Sequence, residues 1–137
     1  MQADDRVVVL THMKKLQEEI HRIADDHGFW SDYRDLRKLV GEYGGLLGVQ
    51  EDAPELMIQL SRAMLMVSEI SEAVEARRNH DAKDDKLPQY SGFTVELADC
   101  IIRILDMAEQ FNLPVIEAIL DKSDYNKSRP FMHGKQI

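Results

Sequence analysis

Two pairs of carboxylates stand at the spacing that places side chains on one face of a helix. Glu69 and Glu72 are three residues apart, and Glu96 and Asp99 repeat that spacing further along the chain. Residues three apart lie on adjacent turns of one helix face, so four carboxylates converge if the two helices pack side by side. Because unpaired acids repel and are costly to bury, divalent cations would stabilise such a group. All-oxygen ligation favours Mg²⁺ or Mn²⁺ over zinc.

A simpler interpretation of the second pair stays open. Polar side chains at three- and four-residue spacing are also typical of a solvent-facing stripe, here Glu96, Asp99, Arg103, Asp106 and Gln110. In that case Asp99 and Arg103 form an ordinary ion pair one turn apart. Glu75 extends the first group, but it lies about 60° further round the helix than Glu72 and is expected to face solvent.

Basic and polar side chains gather near the C-terminus of this acidic chain. The group comprises Lys122, Tyr125, Asn126, Lys127, Arg129, His133, Gly134 and Lys135. Lys and Arg donate to phosphate oxygens, so the group could hold a phosphate that metal ions also contact. The alternative is a solvated tail whose lysines balance the C-terminal end of a helix dipole.

Composition limits the classes of partner. Lys and Arg number 17 against 25 Asp and Glu, and the net charge of −8 argues against nucleic-acid binding. One cysteine cannot form an internal disulfide. No apolar run approaches the roughly 18 residues of a membrane span, and the N-terminus lacks the pattern of a signal peptide. We therefore expect a cytoplasmic protein without membrane partners.

Helix-forming residues and apolar spacing predict an all-α fold with four main helices and a short extra one in the N-terminal region. The expected helices run from about 11 to 27, 32 to 43, 52 to 78, 94 to 111 and 114 to 125. An apolar stripe is expected to bury the helix over 52–78: Leu56, Leu60, Ala63, Val67, Ile70 and Val74. The helix over 94–111 is apolar on most sides and is expected at the centre.

The 137 residues fit a single domain built as a four-helix bundle. Its regions are an N-terminal helical part over 10–50, a metal-binding core over 52–126 and a basic tail over 127–137. The polar segment over 79–92 is expected to be a loop that could close over the site.

These motifs together resemble the MazG-like all-α nucleotide pyrophosphohydrolases. The family pattern EExxE, a spacer and ExxD is matched by Ser68-Glu69-Ile70-Ser71-Glu72 followed by Glu96-Leu97-Ala98-Asp99. The basic residues from Lys122 to Lys135 are similar to the family's C-terminal motif, and the segment over 20–30 is similar to its first helix. The match covers most of the chain from about residue 10, except 31–52. Ser68 departs from the pattern, which has Glu there.

The resemblance implies hydrolysis of a nucleoside triphosphate between the α and β phosphates, giving monophosphate and pyrophosphate. It implies that Glu69, Glu72, Glu96 and Asp99 are the catalytic metal ligands, with Mg²⁺ or Mn²⁺ as cofactor. Substrate contacts are expected from Lys122 and Arg129 to the phosphates, from Asn126 to a phosphate, sugar or base edge, and from Tyr125 and Trp30 to the base or sugar. A homodimer or homotetramer is also implied, and the apolar third main helix independently favours one.

Two rival functions remain. A di-iron carboxylate bundle needs two ExxH motifs, and the chain offers one, Glu18-x-x-His21. A non-catalytic helical interaction module would account for Ser68 in place of an expected catalytic acid.

Overall fold

The computed structural model describes residues 2–80 and 82–130, and these form five helices. They are α1 (Ala3–Asp26), α2 (Ser31–Leu47), α3 (Ala53–Arg78), α4 (Gly92–Gln110) and α5 (Val115–Lys127). Within those ranges there is no strand, and the one β-type pairing is an isolated bridge between Lys83 and Ser91. The all-α prediction is confirmed. No helix in the described part of the chain is long and apolar enough to cross a membrane.

Two helices are longer than their sequence patterns predict. The first begins at Ala3 rather than near residue 11. Asp4 and Asp5 lie in its first turn, where their negative charges interact favourably with the positive end of the helix dipole. The second continues to Leu47, beyond the expected end near residue 43, although glycines at 41, 44 and 45 disfavour a helix. It ends at Gly48, whose φ of 69° is a left-handed conformation that glycine adopts without strain.

The helices pack as an open series rather than as a closed bundle. The extensive contacts place α4 between α3 and α1, with α2 against α3 and α5 against α1. The hydrogen bond from Gln17 to Glu109 and that between His21 and Asp106 show that α1 and α4 run antiparallel. The closure of four helices around one core is therefore not confirmed.

The best-buried part of the molecule lies where the turn after α1 meets the start of α2 and the end of α4. Trp30 is fully buried there, and the rings of Trp30, Tyr33 and Phe111 meet edge to face at 5.3 to 6.3 Å between centroids. Such tilted contacts match the positive ring edges to the negative faces. This aromatic group fixes the C-terminal end of α1 against α4.

The apolar stripe predicted to bury α3 lies on the outside, so that prediction is wrong for the single chain. Leu56, Leu60, Val67, Ile70 and Val74 are each between 44% and 60% exposed. The side of α3 that faces α4 instead includes Arg62, Met66, Glu69 and Ala73. Glu69 lies in that interface because it pairs with Arg103 of α4, and the apolar stripe is left uncovered.

Candidate metal centre

Three carboxylates from two helices converge between α3 and α4. One oxygen from each of Glu69, Glu72 and Glu96 lies within 4.8 Å of the others. Oxygen ligands of one Mg²⁺ are about 3 Å apart when they are neighbours and about 4.2 Å apart when they are opposite, so the three carboxylates would draw closer together around an ion. The sequence prediction that acids of these two helices meet is confirmed for these three residues, which we call the acid cluster.

Glu69 is held in place by a cation of the neighbouring helix. Its side chain is 7% exposed, and Arg103 Nε donates to Glu69 Oε1 at 2.6 Å. A buried carboxylate without a partner would be strongly destabilising, and the guanidinium offsets that cost. Arg103 therefore joins α4 to α3 instead of pairing along its own helix with Asp99.

The solvent-facing interpretation of the α4 stripe is wrong. None of its members is exposed: Glu96, Asp99, Arg103, Asp106 and Gln110 are all intermediate in accessibility. They occupy the two sides of α4 that meet α3 and α1, so the polar residues of this helix face its neighbours.

Asp99 lies beside the acid cluster, but it is not one of the three residues whose oxygens converge. Burial raises the pKa of Asp99, the charge of Glu69 raises it further, and the charges of Arg103 and Lys86 oppose both effects. Burial likewise raises the pKa of Glu96, with added contributions from its hydrogen bond to Glu69 and the charge of Glu72. Both carboxylates therefore hold protons more tightly than they would in the unfolded chain.

We expect the metal-free protein to lose stability as the pH rises above the ordinary pKa of a carboxyl group. Native Glu96 and Asp99 bind protons above their ordinary pKa, near about pH 4, so the free energy of unfolding falls as pH rises from there through the raised values. The pKa values of Glu19, Glu117 and Asp124 are lowered, so those groups act below this window.

Thermal melts in EDTA at pH 5 and pH 7 measure this effect, and the Glu96→Gln variant is its control. All other ionisable groups are common to both proteins, so the difference between their pH dependences isolates Glu96. Saturating Mg²⁺ should raise the melting temperature at pH 7 more than at pH 5, because protons compete for the ligand oxygens. An equal pH dependence in the two metal-free proteins would contradict the prediction.

A cavity of 280 Å³ adjoins the acid cluster between α1, α3 and α4. Asp99 and Arg103 form the side nearest the cluster, and Arg62 and Asp106 supply further polar groups. The apolar lining consists of Ile20, Ile23, Ala24, Phe29 and Ile102. A concave, largely apolar space with a few charged groups is typical of a site for a small molecule, and this volume is near the lower end of the usual range.

Trp30 does not line this cavity, contrary to its predicted role as a substrate contact. The indole is fully buried, its Nε1 donates to Asp106 Oδ1 at 2.9 Å, and the Arg62 guanidinium lies 4.7 Å from its ring centroid. The aromatic side chain that reaches the cavity is the neighbouring Phe29, which is 59% exposed. Trp30 is a core residue that positions Arg62 and Asp106.

The predicted phosphate-binding residues on α5 lie together but far from the acid cluster of their own chain. Lys122 and Arg129 stack on the Tyr125 ring at 4.8 and 5.9 Å, and Asn126 is exposed beside them. This part of α5 pairs with Arg6 at the start of α1. Measured along the axes of α1 and α4, Arg6 lies about 30 Å from Asp99. His133, Gly134 and Lys135 lie outside the described residues.

Cations near the acid cluster come instead from residues that the motifs did not single out. Arg62 is on α3 two turns before Glu69 and donates to the Phe29 carbonyl. Lys86 belongs to the loop between α3 and α4, which lies close enough to Asp99 for its charges to alter the pKa of that group. The signal for Arg62 was a lone arginine in an otherwise apolar stretch of helix, which requires a partner when buried.

Ser68 and Glu75 take no part in the acid cluster. The Ser68 hydroxyl donates to the Leu65 carbonyl of its own helix, and Glu75 accepts from Asn79 one turn on. His21 of the ExxH motif bonds to Asp106, and within residues 2–80 and 82–130 the acid cluster is the one group found with metal-ligand spacing. The di-iron arrangement therefore has no support from the described residues.

Resemblance to the MazG-like family is carried by the motifs alone. The chain matches no family model, no curated protein and no solved structure.

Proposed function

We propose that this protein is a divalent-metal-dependent hydrolase of nucleoside triphosphates, of the MazG-like type, which releases pyrophosphate and a nucleoside monophosphate. The observation that carries the proposal is the convergence of Glu69, Glu72 and Glu96 beside a cavity that also holds two arginines. A group of carboxylates alone offers ligands to a metal and no more. The adjoining cavity adds room for an organic ligand whose phosphates reach that metal.

The acid cluster fits Mg²⁺ or Mn²⁺ by donor type. All three donors are carboxylate oxygens, which hard cations prefer, and Asp99, whose pKa the charge of Glu69 raises, is the fourth ligand that we propose. Bound divalent ions would polarise the phosphate oxygens and make an attacking water more acidic. Glu72 is the exposed member of the cluster, and we assign to it the acceptance of a proton from that water.

Positive charge for the leaving pyrophosphate would come from α3, α4 and the loop between them. Arg103 and Arg62 line the cavity, and Lys86 stands near Asp99. Cations that are fixed before the reaction stabilise charge that develops as the phosphoanhydride bond breaks. The predicted contribution of Lys122, Tyr125, Asn126 and Arg129 stays a prediction, and it requires the acid cluster of another copy because their own is about 30 Å away.

A homo-oligomer, at least a dimer, is part of the proposal. The chain of 15.8 kDa exposes 10344 Å², whereas a folded monomer of that mass exposes about 7,300 Å². An extended residue of average size exposes about 170 Å², so residues 1, 81 and 131–137 account for about half of the excess at most. The remainder exceeds the roughly 800 Å² that each partner buries in a standard interface.

The exposed stripe on α3 is the surface we assign to that interface. Val67 lies about 140° round α3 from Glu72, so a partner on the stripe leaves the acid cluster open. Leu97 and Ile101 are exposed on the side of α4 away from Asp99 and extend the apolar surface.

Pyrophosphate release tests the catalytic proposal directly. With Mg²⁺ and a panel of ribo- and deoxyribonucleoside triphosphates, we expect pyrophosphate and monophosphate in equal amounts, and none in EDTA. Release of orthophosphate in place of pyrophosphate would contradict the assigned bond. If no nucleotide is cleaved or bound in the presence of Mg²⁺, the non-catalytic interaction module becomes the better hypothesis.

A further inference from the structure

One oxygen of the Asp106 carboxylate accepts two hydrogen bonds, and the other is available to a ligand. Asp106 Oδ1 accepts from His21 Nδ1 at 2.8 Å and from Trp30 Nε1 at 2.9 Å. Its side chain is 13% exposed, and it lines the cavity beside the acid cluster. Both hydrogen bonds that Asp106 accepts from described residues fall on Oδ1. A carboxylate oxygen that borders a cavity can then accept a hydrogen bond from a ligand.

Two donors on Oδ1 fix the direction of Oδ2. The Trp30 ring is fully buried, and the His21 ring packs against it at 5.8 Å between centroids. Neither ring can move without disrupting the core. The Asp106 side chain therefore cannot rotate to form other hydrogen bonds without losing these two. The available oxygen is therefore a preorganised acceptor, which is the property that selectivity requires.

The part of the cavity lined by Asp106 and apolar side chains favours a neutral, flat ligand group. Arg62 and Arg103, the cations assigned to the pyrophosphate, are matched in number by Asp99 and Asp106, so the cavity has no excess positive charge that would attract a second anionic group. The exposed Phe29 ring and the isoleucines of the lining offer apolar contact to a ring.

We propose that Asp106 is a specificity-determining residue, whose Oδ2 accepts a hydrogen bond from the exocyclic amino group of a nucleobase. This inference rests on the proposed function, and it names the substrate class as triphosphates of amino-bearing bases. Cytosine carries an amino group at position 4 where uracil and thymine carry a carbonyl oxygen, and adenine differs from hypoxanthine in the same way at position 6. A carbonyl facing Oδ2 sets two acceptors against each other and leaves both unpaired.

The matched pairs dCTP with dUTP and ATP with ITP test the inference. We expect the amino member of the better-bound pair to have a kcat/KM about 10- to 100-fold higher. In Asp106→Asn the amide oxygen can still accept from His21 and Trp30, while the amide nitrogen now donates into the cavity. That variant should abolish or reverse the preference.

Glu109→Gln is the control for loss of charge on α4. Glu109 lies one turn beyond Asp106 and accepts from Gln17 across the α1–α4 interface, but it does not line the cavity. It should keep the wild-type preference. Near-ultraviolet circular dichroism of Trp30, the single tryptophan, reports whether each variant retains the core. If Asp106→Asn does not fold, the wild-type preferences decide alone.

Binding without turnover separates this inference from the catalytic proposal. Titrations with dCMP against dUMP and with AMP against IMP, followed by NMR, should show tighter binding of the amino-bearing member, and Asp106→Asn should remove the difference. If no triphosphate is cleaved but this selectivity is present, the catalytic proposal fails and the inference stands. Equal binding of the members of both pairs by the wild type, or a preference unchanged in Asp106→Asn, overturns the inference.

Discussion

Glu72→Gln is expected to lower kcat for pyrophosphate release by about 10²- to 10³-fold, because a loss of several kcal/mol of metal-dependent stabilisation has that effect on a rate. Glu72 contributes an oxygen to the acid cluster but is exposed, so its substitution leaves no unpaired buried charge. The helix content should be unchanged, and the metal-free melting temperature should not fall, because the substitution removes a charge that repels Glu96. Initial rates at saturating nucleotide and a range of Mg²⁺ concentrations provide the measurement.

Glu75→Gln is the matched control for that variant. Glu75 lies on the same helix, is exposed, and pairs with Asn79 outside the acid cluster. It should keep nearly full activity. Glu69→Gln is a less direct test, since it also breaks the pair with Arg103 and leaves a buried amide in its place. Wild-type turnover by Glu72→Gln would remove the metal mechanism.

Placing Asp at both Val67 and Val74 is expected to convert an oligomer into a monomer. Both side chains are about half exposed in the single chain, so the substitution has little effect on the folded subunit. In an interface each valine would lose about 1.5 to 3 kcal/mol of apolar burial, and each new carboxylate would have to be desolvated. Light scattering at micromolar concentration should give at least twice 15.8 kDa for the wild type and 15.8 kDa for the variant.

Ser61→Asp provides the charge control for the interface. Ser61 is exposed on α3 but lies about 120° away from Val67 around the helix. It should leave the oligomer intact. A wild-type protein that is monomeric at these concentrations would contradict the assignment of the stripe as an interface.

Helix type and the meeting of the acids could be predicted from sequence because both depend on local spacing. The i, i+3 positions of Glu69 and Glu72 place them on one face whatever the rest of the chain does. The loop between the two helices is short enough to bring Glu96 alongside. Neither inference needs knowledge of a distant contact.

The exposure of the α3 stripe and the burial of Trp30 could not be predicted in this way. An apolar stripe predicts that one face of a helix packs against something, but it does not show whether that is α4 or another subunit. At Trp30, after the first helix, the sequence favours a core residue over a ligand contact, but it does not identify the residues that bury it. Its burial depends on Asp106, and these residues are far apart in sequence.

The distance between α5 and the acid cluster has a similar origin. Lys122 and Arg129 are near the α4 acids in sequence, yet α5 turns back along α1 and pairs with Arg6 at its far end. The order of helices in space is set by ion pairs between remote segments, and no local pattern encodes it.

The pairing of Arg103 with Glu69 bears on the order in which ligands arrive. In the metal-free chain the guanidinium serves as a built-in counter-ion, which lets the carboxylate stay desolvated while no cation is bound. An incoming ion that takes Glu69 as a ligand deprives Arg103 of its acceptor at the wall of the cavity. A phosphate oxygen is the acceptor best suited to replace it, so each ligand should strengthen the binding of the other.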